Sequence, residues 1–180
     1  MKVSMNDSVQ TARKEHETLV EQARVEVVST VRVLGDKKLT VGFAESCTGG
    51  LLSSFVTELS GVSQVFMGSI ISYDNKVKQK FLNVSEETLK TKGAVSAETA
   101  TQMAVGALKA LDVSVAVSVT GIAGPTGGSD LKPVGTVFIA VAGLNREAQV
   151  FQHQFAGDRK TVQLQTCVEA MKHLKKFLEN

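Results

Sequence analysis

The sequence predicts an α/β protein: a three-layer α/β/α sandwich on a mixed sheet, preceded by an N-terminal helix. Three observations carry this prediction. Short apolar, strand-like runs alternate with segments of helical period between residues 39 and 119, the pattern of a sheet covered by helices on both faces. Two further strand-like runs then follow each other around a tight turn, as an antiparallel hairpin would. Long helical periodicities begin and end the chain, at 8–34 and 158–178.

The elements follow in order. Val9, Ala12, His16, Val20, Ala23, Val27, Val31 and Leu34 recur at steps of three or four, which predicts a helix over 8–34 stopped at Gly35. Its apolar stripe must be covered by the domain or by a second subunit, and a homo-oligomer is expected. Residues 39–44 read as a buried strand that ends at Glu45-Ser46-Cys47-Thr48-Gly49-Gly50. A helix over 51–59 and a strand over 67–73 come next. Short helices follow Asp74-Asn75-Lys76-Val77-Lys78, one of them capped by Ser85. Ser96 is an N-cap for a helix over 97–111, with Ala100, Met103, Ala107 and Leu111 as its apolar face. Residues 113–119 form a strand that opens into Thr120–Gly128. Runs 134–141 and 148–155 pair around Gly143–Arg146, and the last helix carries Leu164, Cys167, Met171, Leu174 and Leu178 inward. Residues 1–37 are an extension with a helix, and 38–180 form the domain.

Composition narrows the function classes. The chain has 180 residues, 43% of them hydrophobic and 21% charged, with net charge +2. Such a chain is globular rather than disordered. Its charge balance gives no case for nucleic acid as a partner, and eight Phe, one Tyr and no Trp give none for a base-stacking platform. Cys47 and Cys167 cannot make a disulfide framework. The N-terminus lacks the apolar core of a secretory signal, and the longest apolar run, 135–144, is too short to span a bilayer. A cytoplasmic protein without a membrane partner is expected. His16, His153 and His173 are far apart in sequence, no Cys/His pair has zinc-finger spacing, and neither a metal nor a cofactor is predicted.

Chemistry concentrates at three places. Ser46 stands where a strand becomes a helix, and ligands in open α/β sheets bind beyond the carboxyl ends of strands. The N–H groups of Thr48, Gly49 and Gly50 could stabilise an oxyanion there, with Ser46 as nucleophile; alternatively Ser and Thr simply cap the helix. The adjacent thiol of Cys47 is a rival nucleophile, but neighbours on an extended segment point to opposite sides, which turns Cys47 inward. A serine nucleophile needs a base, and no histidine is well placed by sequence. A lysine kept partly neutral by burial can serve, so Lys78 or Lys76 is a candidate, with Tyr73 as a relay; a solvated basic turn is the plainer reading. The third place is the loop from Thr120 through Gly121, Gly124, Gly127 and Gly128 to Lys132. Five of the 15 glycines and both prolines, Pro125 and Pro133, fall between residues 121 and 135. Its N–H groups can form a nest for an anion, with Lys132 adding charge, or the segment is a surface loop. Arg159, opening the last helix, could hold a carboxylate or phosphate bidentately or pair with Asp158.

Together, AESCTGG (44–50), ISYDNKVK (71–78), GAVSAETA (93–100), VTGIAGPTGGSDLKPVGTV (119–137) and FAGDR (155–159) resemble the C-terminal domain of the competence/damage-inducible CinA proteins. That family includes stand-alone nicotinamide-nucleotide amidases. The resemblance runs over residues 15–178 with the motifs in order. It implies an α/β/α sandwich and hydrolysis of the carboxamide of nicotinamide mononucleotide to nicotinate mononucleotide and ammonia, a step of pyridine nucleotide salvage. Ser46 matches the family's nucleophile and Lys78 the lysine to pair with it. Thr120–Gly128 and Arg159 match segments expected near a small-molecule nucleotide. The nucleotide-pyrophosphatase domain of full-length CinA proteins has no counterpart in these residues, so its metal-dependent activity is not expected. A catalytically inactive nucleotide-binding or competence-related interaction module is the alternative.

Overall fold

The computed structural model describes residues 5–180, with side chains from Gln10 onward. Residues 1–4 of the expected 1–37 extension, and the side chain of Val9, lie outside the described residues. The first element is helix α1 (Met5–Asp36), followed by β1 (Val41–Glu45), α2 (Leu51–Thr57), a short 3-10 turn and β2 (Phe66–Ile71). Then come α3 (Asn75–Leu82), α4 (Glu86–Thr91) and α5 (Ala97–Ala110), and the chain closes with β3 (Val115–Gly121), β4 (Thr136–Gly143), β5 (Arg146–Gln154) and α6 (Arg159–Glu179). Each element predicted from the sequence is present, its ends moved by a few residues. Ser85 and Ser96 cap α4 and α5, each accepting the N–H three residues on.

The five strands lie in the order β2-β1-β3-β4-β5. β1 is parallel to both β2 and β3, whereas β3, β4 and β5 run antiparallel in turn. The α/β/α sandwich with a mixed sheet is thus the fold. A two-residue turn, Leu144-Asn145, joins β4 to β5, with Asn145 left-handed at φ 58°.

Alternation along the strands builds two unlike faces. Val41 and Phe43, Val115, Val117 and Val119, and Val137, Ile139 and Val141 join one cluster with Leu52, Phe55, Leu164, Met171 and Leu174 of α2 and α6. Most intervening positions are small: Ala44, Ala116, Ala140 and Ala142, with Phe138 as the large exception, meet Ala100, Met103, Ala104 and Ala107 of α5. Small residues on both sides let α5 lie close to the sheet. Gly106 extends this close approach to α3, since a Cβ there would stand 2.0 Å from the Leu82 carbonyl oxygen.

From Leu19 onward α1 packs on the first cluster, with Ala23, Val27 and Leu34 buried and Leu19, Val20 and Val31 partly so. The domain itself therefore covers this part of the predicted stripe, and the Thr30 hydroxyl donates to Met171 O at 3.4 Å. Val25 and Val28, on the other side of α1, stay exposed. No described helix is long and apolar enough to cross a membrane.

Candidate active site

Parity along β1 decides which way each residue of the first motif points. Val41, Phe43 and Glu45 share the α2 side of the sheet, and Ala44 and Ser46 take the α5 side. The ladder holds this alternation one residue past the strand, because Ser46 N–H donates to Val119 O at 3.0 Å and Ser72 N–H to Glu45 O at 2.7 Å. Ser46 thereby faces α3, and Cys47 returns to the apolar cluster. Burial pushes the Cys47 thiol up to about 12, so near neutral pH it is not a thiolate.

The helix α3 brings the partner. Asp74 caps it by accepting Lys76 N–H at 2.7 Å, and one turn later the Lys78 side chain runs inward, 1% exposed. Its Nζ donates to Ser46 Oγ at 3.0 Å, to the carbonyl of Ser72, and to Tyr73 O at 3.4 Å. No carboxylate is hydrogen-bonded to this amine among the described residues. Burial lowers its pKa to about 8, against a usual value near 10.4. Lys76, the other candidate base, is exposed on the same helix.

A cleft of about 280 Å³ opens above Ser46, beyond the carboxyl ends of β1 and β3. The chain leaves β1 for α2 on one face of the sheet and reaches β3 from α5 on the other, so the crevice forms between them, as at a switch point in open α/β sheets. Ser46, Tyr73, Lys78, Thr120, Gly121, Gly124, Gly127 and Arg159 line it. Ala94 and Val95, from the α4–α5 connection, close one side, and the Thr120 hydroxyl donates to Ala94 O at 2.8 Å. Sequence reasoning passed over this connection, although its GAVSAETA motif was a signal.

Other expected members are placed differently. Gly49 and Gly50 have φ of 63° and 100°, and their role is the tight left-handed turn between β1 and α2. That turn aims the start of α2 at the Glu45 carboxylate, which is fully buried. Glu45 accepts from Thr48 Oγ1 at 2.7 Å, Gly50 N at 2.9 Å, Leu52 N at 3.2 Å and both Ser53 N and Ser53 Oγ, while Gly49 N–H donates to Ser46 O at 3.1 Å. The Gly49 and Gly50 donors assigned to an oxyanion are thus already engaged. The N–H groups of Cys47 and Thr48 donate to no other described residue.

Tyr73 does not relay between serine and lysine: its hydroxyl accepts from Arg159 Nη2 at 3.0 Å. Arg159 Nη1 donates to Gly124 O at 2.8 Å, so the guanidinium spans the cleft edge between the Gly-rich loop and the tyrosine. Asp158 is not its partner, but caps α6 and bonds His16 Nε2 at 3.1 Å. Lys132 stands apart from the cleft, its ammonium donating to Lys92 O at 2.7 Å, because Ser129–Lys132 folds into a separate turn. Gly128 lies beside Val134 at the base of the loop. The N–H groups of Ala123, Gly124, Thr126 and Gly127 donate to no described residue.

The comparison that decides the family is a match of residues 23–178 to the CinA C-terminal domain. The chain belongs to the CinA C-terminal domain family. A CinA-like protein of Thermotoga maritima is 42% identical over 165 residues, which are 92% of this chain and 40% of that protein. One from Prochlorococcus marinus is 48% identical over 135 residues, 75% of this chain and 31% of the relative. The chain therefore spans less than half the length of these relatives. Among solved structures, the competence/damage-inducible protein CihA from Agrobacterium tumefaciens superposes with TM-score 0.85 at 38% identity, covering 88% of this chain and 96% of that one. A CinA superfamily protein from Klebsiella pneumoniae gives TM-score 0.84 at 28% identity, over 87% and 98% of the two chains.

Proposed function

We propose that this CinA-family domain is a serine amidase that hydrolyses nicotinamide mononucleotide to nicotinate mononucleotide and ammonia, a reaction of pyridine nucleotide salvage. The observation that carries the reading is the buried Lys78 amine 3.0 Å from Ser46 Oγ, its pKa lowered to about 8. At pH 7 about a tenth of such lysines are neutral, enough to act as general base.

Neutral Lys78 takes the hydroxyl proton as Ser46 Oγ attacks the carboxamide carbon. The N–H groups of Cys47 and Thr48 are the free donors nearest in sequence for the oxyanion of the tetrahedral intermediate. Protonated Lys78 then gives its proton to the departing nitrogen, and ammonia leaves an ester on Ser46. Water, deprotonated by the same amine, attacks the ester, and the Ser46 oxygen recovers its proton as nicotinate mononucleotide departs. The unpaired N–H groups of Ala123, Gly124, Thr126 and Gly127 and the Arg159 fork suit the substrate phosphate.

The test is ammonia release by purified protein from nicotinamide mononucleotide, its riboside and free nicotinamide. Turnover is expected with strong preference for the mononucleotide, because the phosphate supplies remote binding energy. Ser46→Ala should lower kcat by several decades with the fold intact, and Cys47→Ala should remain active. No release above the Ser46→Ala background would reject the amidase and leave a nucleotide-binding module.

A further inference from the structure

Two histidines separated in sequence by a loop and most of a helix meet on the far side of the protein's last hairpin. His153 on β5 and His173 on α6 face each other with Nε2 atoms 2.9 Å apart. Glu169 lies one turn before His173 on the same helix face, and one ligand atom from each of the three residues falls within 4.8 Å of the others. Phe151 stacks on the His173 ring with centroids 3.7 Å apart, and Phe155 on the His153 ring at 5.0 Å. All three polar residues are half-buried.

We propose that His153, His173 and Glu169 form a binding site for a divalent transition-metal ion of the zinc class, separate from the Ser46 cleft. Two imidazole nitrogens and a carboxylate oxygen are a donor set that suits zinc, and they leave a fourth position for water. The spacing fits as well. With metal–nitrogen bonds of about 2.0–2.1 Å, ligand angles between square and tetrahedral hold two nitrogens about 2.8–3.4 Å apart, and the observed separation lies toward the square end. Two lone pairs cannot face each other at the observed separation, so the gap between these nitrogens holds either a shared proton or a cation. Lys172 engages only Glu169 Oε1, at 2.8 Å, and Oε2 has no hydrogen bond to a described residue. The stacked phenyl rings fix the ring planes, so little side-chain freedom remains to be lost on binding. An ion here would tie the edge strand β5 to α6.

The site is independent of the amidase reading, and its test reads binding rather than turnover. Chelated and dialysed protein is titrated with Zn²⁺ by calorimetry, with Mg²⁺ as control, and Tm is followed in parallel. One equivalent of Zn²⁺ should bind and raise Tm, and Mg²⁺ should do neither. Co²⁺ should develop the visible absorption of a low-symmetry nitrogen–oxygen site. His173→Gln and Glu169→Gln should each weaken Zn²⁺ binding at least tenfold. His153→Phe, which preserves the ring stack, guards against loss through misfolding and should show the same loss. Equal Zn²⁺ affinity in the parent and all three variants would overturn the site and leave a neutral hydrogen-bonded histidine pair. Loss of ammonia release on metal removal at a temperature where the fold persists would overturn its separation from the cleft.

Discussion

Lys78 shows how one residue's surroundings set its chemistry. The amine has carbonyl and hydroxyl partners but no hydrogen-bonded carboxylate, so burial outweighs the opposing pull of nearby groups such as Asp74 and its pKa falls to about 8. In the proposed mechanism the neutral form is the base. Hence kcat/KM should rise with pH through a single ionisation near 8 and level off above it, and activity should fall as pH drops below that value. The profile of ammonia release between pH 6 and 9.5 checks the sign. Lys78→Arg keeps the charge but cannot lose its proton in this range, and it should reduce kcat by at least a hundredfold. A plateau reaching down to pH 6, or near-normal turnover by that variant, would remove Lys78 as the base.

At the scale of elements, the start of α2 is filled from within. Glu45 takes its two side-chain oxygens into a buried site and offsets the cost of burial with five hydrogen bonds from the turn and the first turn of helix. Glu45→Gln would set an amide donor against N–H donors. Unfolding in urea should then show a loss of about 3 kcal/mol, together with a drop in kcat as the turn carrying Ser46 loosens. The Gly-rich loop and the start of α6 meet through Arg159, which holds Gly124 and Tyr73 together. Arg159→Ala should lower kcat/KM for the mononucleotide more than for the riboside, narrowing the preference between them. An unchanged ratio would leave the phosphate to the loop N–H groups alone. The contact between α5 and α3 gives a further prediction. Gly→Ala inside a helix ordinarily stabilises by about 1 kcal/mol, but at Gly106 the new Cβ would meet the Leu82 carbonyl. Gly106→Ala should therefore lower Tm, and, by displacing the helix that carries Lys78, lower kcat as well.

What the sequence made legible divides along the same physical line. Elements with local signals were readable: Ser85 and Ser96 as caps, the hairpin at Leu144-Asn145, the inward stripe of α6. Ser46 and Cys47 could be told apart by strand alternation alone. Residues whose placement depends on distant parts of the chain were not readable. Glu45 looks like any acid beside a serine until the register of β1 assigns it to the α2 side. Lys132 sits in a glycine- and proline-rich loop like its neighbours, yet a turn at Ser129–Lys132 carries its ammonium to Lys92. His153 and His173 are 20 residues apart, and only the packing of α6 on β5 joins them.

Across the whole molecule, the cleft belongs to no single segment. Ser46 lies after β1 and Lys78 on α3, the loop follows β3, and Arg159 opens α6. The backbone of Ser46 itself is fastened to Val119, 73 residues away along the chain, across a parallel pair of strands. Parallel pairings of this separation are slow to form, because a long loop must close before any contact rewards it. During synthesis or refolding, chemistry therefore has to wait for β3. Fragments ending before that strand should be inert however well their helices form, and ammonia release by a chain recovering from denaturant should return no sooner than the pairing of β1 with β3.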